Sequence, residues 1–195
     1  MSEQDTALPE RVAHITDPLD QMLVGTIVML GEQKEALAGI DSIYPMTYPR
    51  LAATAEQVAA AEDRIGFPLD DLHRRLLMLA DGWHRMSLTM HLLPAEALGA
   101  PGLWQDCHDH LKVFFSEVGD DVRFEQLHNV CPVGCNDQTD DIFLVRRDGP
   151  LTDGGHEVIW FADDIVQVFS NVIDWMLSMK AYVVEMVAKR STDPR

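Results

Sequence analysis

The stretch TAEQVAAAEDRIGFPLDDLHRRLLMLADG, residues 54–82, carries the strongest local structural signals of the chain. Thr54 and Gln57 have the spacing of a capping box, in which each side chain bonds a backbone N–H group that the helix leaves unpaired. Gly66 suits a left-handed helix end, and Asp70 suits the N-cap of the next helix. The stretch therefore predicts two consecutive helices separated by a tight turn.

A further helix is predicted upstream of this stretch. Asp17 followed by Pro18 is a typical helix start, and apolar residues at helical spacing continue to Ala38. The Pro-rich segment 43–49 then disfavours helix, because each proline pushes the preceding residue towards extended geometry. We interpret this segment as a linker and expect three regions: an N-terminal extension with one helix (1–45), an α+β domain (46–190) and a polar tail (191–195).

The downstream half alternates between short β-rich runs and helical patterns. Strands are predicted at 88–93, 130–133, 141–146 and 157–161, and helices at 102–115 and 166–189. Helices followed by strands and a closing helix are typical of an α+β fold. We expect an antiparallel sheet of about 4–6 strands with helices packed against one side, in addition to the N-terminal helical extension.

Composition excludes several classes of function. The 195 residues include 15 Lys and Arg against 32 Asp and Glu, a formal net charge of −17, so direct binding of nucleic acid is not expected. The longest apolar stretch, Met22 to Leu30, falls well short of the roughly 20 residues of a membrane span. The acidic N-terminus resembles no export signal, and three cysteines form no disulfide framework. We expect a cytoplasmic protein.

The cysteines and neighbouring histidines are candidates for a metal or catalytic site. Cys107, His110, Cys131 and Cys135 are residue types that bind zinc, but their spacing does not match common zinc motifs. Core or incidental residues are the favoured interpretation. We therefore expect no metal, no cofactor and no catalytic residue, and classify the chain as a non-enzyme. An enzyme built on the Cys/His set is kept as a third alternative.

Charge is distributed unevenly along the chain. Between Glu117 and Asp164, twelve acidic residues stand against three arginines. Such a surface would attract a basic protein partner, with aromatic residues as anchors. The candidate partner-binding residues are Asp137, Asp140, Asp141, Asp163, Asp164, Trp160 and Trp83. The competing interpretation is a solvated acidic surface that keeps the protein soluble.

Several sequence strings resemble the SUKH superfamily, which includes bacterial immunity proteins and the fungal cell-wall assembly regulator. Residues 54–82 are similar to its opening helix, turn and second helix, and residues 92–98 to the strand and turn that follow. The remaining similar segments are 130–134, 137–145 and 158–161, which match its strands, and 172–177, which match its closing helix.

The resemblance implies a non-enzymatic immunity protein that binds and neutralises a toxin, frequently a nuclease. The alternative is a regulatory or scaffold protein of the same fold that binds another cellular protein. In that case the helix around Leu19–Leu37 is a candidate for self-association into a homodimer.

Overall fold

The helices begin and end largely where local capping signals place them. A computed structural model describes residues 15–119 and 121–192 of the chain. The helices are α1 (Pro18–Ile40), α2 (Ala55–Ile65), α3 (Asp71–Leu79), α4 (Leu103–Val118), a 3-10 helix (Val122–Leu127) and α5 (Val172–Thr192). The capping box at Thr54 is present, and Gly66 adopts a left-handed conformation with φ of 78°. The first three predicted helices are thus confirmed.

The strands form one antiparallel sheet and a small separate ribbon. They are β1 (Trp83–Ser87), β2 (Met90–Leu92), β3 (Val130–Asn136), β4 (Ile142–Arg146), β5 (Leu151–Thr152), β6 (Gly155–His156), β7 (Val158–Phe161) and β8 (Ile165–Phe169). The sheet has six strands in the order β1-β2-β3-β4-β7-β8, and β5 pairs only with β6. The predicted α+β fold with an antiparallel sheet is confirmed.

Helices cover both faces of the sheet, so the expectation of one covered side is wrong. Along β4, Phe143 and Val145 join a core with α1, α3 and α5. The alternate residues Ile142 and Leu144 join a second core with α2, α4 and the 3-10 helix. Because successive strand residues point to opposite faces, a strand that is apolar at every position requires a partner layer on each side.

Four strands have no predicted counterpart: β1, β8 and the short strands β5 and β6. The strand expected at 88–93 corresponds to β2, which pairs with the unpredicted β1, where Arg85 has a positive φ of 50°. The helix expected to begin at Val166 starts later, because residues 165–169 form the strand β8. This strand pairs antiparallel with β7, with Val168 opposite Ile159. The helix α5 begins only after Asn171, whose Oδ1 accepts hydrogen bonds from the backbone N–H groups of Ile173 and Asp174.

The strand β8 lies at an edge of the sheet. Within the described residues it pairs only with β7, so one row of its backbone groups has no strand partner. Val166 and Val168 on this strand are 52% and 43% exposed. Strands are usually recognised in a sequence by alternating buried apolar and exposed polar residues. The strand β8 is short and partly exposed, so its sequence lacks this pattern.

The helix α1 is part of the main core rather than of a separate extension. Leu23 and Leu30 are fully buried together with residues of α5 and the sheet. The predicted boundary between residues 45 and 46 therefore does not separate two independently packed units among the described residues.

Ser191 and Thr192 of the expected polar tail are the end of α5, whereas residues 1–14 and 193–195 lie outside the described part. Among the described residues, no helix has the length and apolar character needed to cross a membrane.

Candidate acidic interaction site

Three turns of the sheet lie at the same end. The register pairs Met90 with Asn136 and Ile142 with Phe161. The turns that follow β1, β3 and β7 therefore emerge side by side. Two of them carry the predicted acidic residues, which we call the acidic end: Asp137, Asp140, Asp141, Asp163 and Asp164. Residues that are up to 27 positions apart in the sequence are thus brought to one edge of the fold.

The carboxylates of the acidic end are not neutralised by fixed cations. Within the described residues, none of them lies within ion-pairing distance of a lysine or arginine. Elsewhere several arginines are paired with carboxylates: Arg75 contacts Asp17, Asp20 and Asp71, and Arg146 contacts Asp148 and Glu157. Part of the scarce positive charge is therefore paired at other places, and the acidic end stays negative.

Two histidines contact the acidic end. His91 Nε2 lies 3.2 Å from Asp137 Oδ2, and His110 Nε2 lies 3.1 Å from Asp163 Oδ1. His91 Nδ1 accepts a hydrogen bond from the backbone N–H of Arg85, so the neutral ring carries its proton on Nε2, facing Asp137. Burial lowers the pKa of His91 although Asp137 opposes the shift. His91 is thus neutral at pH 7 and leaves the charge of Asp137 in place.

The turn between β3 and β4 is held in one conformation by hydrogen bonds. The backbone N–H of Asn136 bonds the carbonyl oxygen of Asp141 at 2.9 Å, closing the turn. The indole Nε1 of Trp160 donates to Asp141 Oδ1 at 2.6 Å, and the hydroxyl of Thr139 donates to Asp141 Oδ2. These contacts orient the Asp141 carboxylate before any partner arrives.

The two predicted aromatic anchors lie in different environments. Trp160 is half-buried beside Asp141 at the acidic end, where a partner can reach it. Trp83 is only 1% exposed, and its Nε1 bonds the carbonyl oxygen of Thr47 at 3.0 Å. The assignment of Trp83 as an anchor is therefore wrong, because a partner could contact it only after the core had opened.

A small groove lies next to Trp160. Trp160 of β7, Phe143 of β4 and Tyr182 of α5 line a cavity of about 120 Å³ together with Asp141. The Trp160 and Tyr182 rings meet edge to face with their centres 5.6 Å apart. Tyr182 belongs to a helix that is sequentially remote from the acidic turns, so no local pattern could have indicated this juxtaposition.

The candidate metal and thiol residues do not form one cluster. Cys107, His110 and Cys135 line a cavity of about 150 Å³ on the α4 side of the sheet. Cys131 pairs with Val145 towards the opposite end of β3. No group of three or more His, Cys, Asp or Glu residues within 15–119 and 121–192 is arranged to hold a metal ion. All three cysteines are free and buried.

The thiols of Cys107 and Cys131 are in their protonated form at neutral pH, whereas the hydrogen bond with Cys107 lowers the pKa of Cys135. Burial raises the pKa of Cys131 to about 12. Contact with Cys135 and burial raise the pKa of Cys107. Because the thiolate is the nucleophile and the metal ligand, the environments of Cys107 and Cys131 suit core residues rather than catalytic ones.

No protein-family model matches this chain, and no curated protein is detectably similar to it in sequence. The likeness to the SUKH superfamily therefore depends on the sequence strings alone.

Proposed function

We propose that the protein is a non-enzymatic binding module that recognises a basic protein surface through its acidic end. One observation carries this proposal: within the described residues, five carboxylates on two adjacent turns form no ion pair with a lysine or arginine. A concentrated negative potential accelerates encounter with a positive surface and disfavours other partners. The half-buried Trp160 supplies an aromatic contact within the same patch.

The rigidity of the turn supports recognition over simple solvation. An acidic surface that serves solubility alone needs no fixed carboxylate orientation. Here both oxygens of Asp141 accept hydrogen bonds, and the backbone of the turn is closed by Asn136. Groups that are already ordered lose less conformational entropy on binding, which favours affinity.

The particular function we propose is that of a cytoplasmic immunity protein that neutralises a basic toxin domain, such as a nuclease. This step relies on the resemblance of residues 54–82, and of the later strand segments, to the SUKH superfamily. The acidic end would cover a surface that the toxin uses to bind nucleic acid. A regulatory or scaffold role of the same fold is the alternative, and the identity of the partner separates the two.

The experiment measures association of the purified full chain with the purified product of the adjacent gene at several salt concentrations. The test variant replaces Asp137, Asp140, Asp141, Asp163 and Asp164 by Asn. A matched control removes five exposed charges elsewhere: Glu32→Gln, Glu35→Gln, Glu56→Gln, Asp63→Asn and Asp153→Asn. Asn keeps one acceptor oxygen at each position, and at 141 its amide N–H can donate to the Thr139 hydroxyl in place of the lost acceptor, so the test variant is expected to fold. The control positions are exposed, so the control is expected to fold as well.

We expect the test variant to associate about tenfold or more slowly and with a weaker salt dependence, while the control retains most of the rate. Equal rates for both variants would refute the acidic end as the binding site. A partner that is neither basic nor toxic would refute the immunity function and favour the regulatory alternative.

A further inference from the structure

The groove beside Trp160 combines aromatic walls with a single carboxylate. The buried Phe143, the half-buried Trp160 and Tyr182, which is 40% exposed, line the groove. Asp141 also lines it. Aromatic faces attract cations through their quadrupole, and this attraction increases where water is excluded.

The Asp141 carboxylate forms no ion pair with a lysine or arginine of the described residues. Among the described residues its oxygens are bonded by the neutral donors Trp160 and Thr139 and by no lysine or arginine. Covering this charge with an apolar group would remove water from it without compensation, which is unfavourable. A positively charged side chain in the groove interacts favourably with both the Asp141 carboxylate and the aromatic rings.

The size of the groove restricts the occupant further. Pockets for drug-sized ligands usually measure about 300–1,000 Å³. A cavity of about 120 Å³ accommodates the end of one side chain instead. The groove also opens at the acidic end, so it lies inside the surface that we propose for a basic protein.

We propose that this groove binds one arginine or lysine side chain of the basic partner, with the cation against the aromatic lining of Trp160 and Tyr182 and beside the Asp141 carboxylate. The inference rests on the proposed function for the source of the side chain. It adds a specific recognition pocket to a surface that otherwise acts by long-range charge.

The test uses the ¹⁵N-labelled full chain and two small probes that differ in charge. N-acetylarginine methylamide is the cation, and N-acetylcitrulline methylamide is its neutral isostere. The readout is the indole Nε1–H signal of Trp160, assigned by its absence in Trp160→Phe. The indole signals of Trp83, Trp104 and Trp175 are internal references. We expect the arginine probe, and not the citrulline probe, to shift the Trp160 signal.

Three variants separate the pocket from diffuse attraction. Asp141→Asn keeps an acceptor for the Trp160 indole but removes the charge, so it should abolish the shift. Tyr182→Leu should weaken binding about threefold to tenfold. The double variant Asp163→Asn with Asp164→Asn removes two neighbouring charges and should retain binding. The backbone spectrum of each variant reports whether it has folded.

Three outcomes would overturn the inference: equal shifts with both probes, no shift with the arginine probe at its solubility limit, or equal losses of binding in Asp141→Asn and the double variant.

These outcomes are distinguishable from failure of the proposed function. A basic partner that depends on the acidic end while arginine leaves Trp160 unchanged refutes the pocket only. A Trp160 shift without any basic partner refutes the proposed function only.

Discussion

Lys34 Nζ donates a 2.5 Å hydrogen bond to Thr47 Oγ1, which joins α1 to the Pro-rich segment that follows it. Thr47 in turn accepts the indole N–H of Trp83 from β1. The segment that the sequence suggests is a linker is therefore part of a buried polar contact within the main core.

The buried ammonium group of Lys34 makes stability depend on pH. Burial, together with the charge of Arg85, lowers the pKa of Lys34 to about 8 from 10.5. Between these values the unfolded chain binds more protons than the folded one, so the free energy of unfolding rises with pH. From pH 7.5 to 9.5 we expect an increase of up to about 2 kcal/mol relative to Lys34→Met, measured by urea unfolding.

An exposed lysine provides the control for this prediction. Lys112 pairs with Asp109 on the exposed surface of α4. Lys112→Met should follow the pH dependence of the wild type. Parallel curves for the wild type and Lys34→Met would show that Lys34 does not titrate in this range.

Replacement of Trp83 should destabilise the protein without a specific effect on recognition. The side chain is fully packed between α1 and the sheet, so Trp83→Ala should lower the free energy of unfolding by about 3–5 kcal/mol. Denaturant unfolding followed by circular dichroism measures this loss. A loss below about 1 kcal/mol would contradict the burial of this residue.

Two glycines in different environments should respond oppositely to alanine. A Cβ on Gly134 would lie 2.8 Å from the carbonyl oxygen of His91 and 2.9 Å from the Trp175 ring, so Gly134→Ala should cost about 1–3 kcal/mol. Gly25 in α1 has no neighbour within 4 Å, so Gly25→Ala should stabilise by about 0.5–1 kcal/mol. Thermal and urea unfolding of the pair test both signs; similar changes would refute the close approach at Gly134.

The three thiols should be unreactive in the folded protein. All are buried, and those of Cys107 and Cys131 have raised pKa values. At pH 7.5 a thiol-specific disulfide reagent should modify none of them on the timescale of seconds to minutes, and all three in urea. Rapid reaction of one cysteine in native buffer, located by peptide mass mapping, would contradict its burial.

The helical part of the fold was predictable because its signals are local. The Thr54 capping box and the Asp70 N-cap involve residues three positions apart, and a helix forms wherever such signals agree with apolar spacing. The strand β8 was missed because Val166 and Val168 are exposed and the helical spacing of α5 can be extended backwards over them. Only pairing with β7 distinguishes the two conformations.

One sequence pattern indicates that both faces of the sheet are covered. The run Ile142-Phe143-Leu144-Val145 has no polar position, which indicates burial on both sides. The acidic residues of the site were identifiable from charge density, but their common location depends on strand register. Nothing in the sequence distinguishes the buried Trp83 from the accessible Trp160, because their different exposure arises from tertiary packing. Trp83 packs in the core and bonds Thr47, whereas Trp160 is partly exposed to solvent.

The exposed edge at β8 gives Asp163 and Asp164 a second consequence. An unpaired strand edge can add a strand of another copy, and charges beside the edge act as gatekeepers against such growth because copies repel one another. The same two carboxylates belong to the acidic end. A change that weakened the charge of this turn would also leave the edge of β8 less protected against self-aggregation. The proposed binding surface and the colloidal stability of the protein therefore depend on the same two carboxylates.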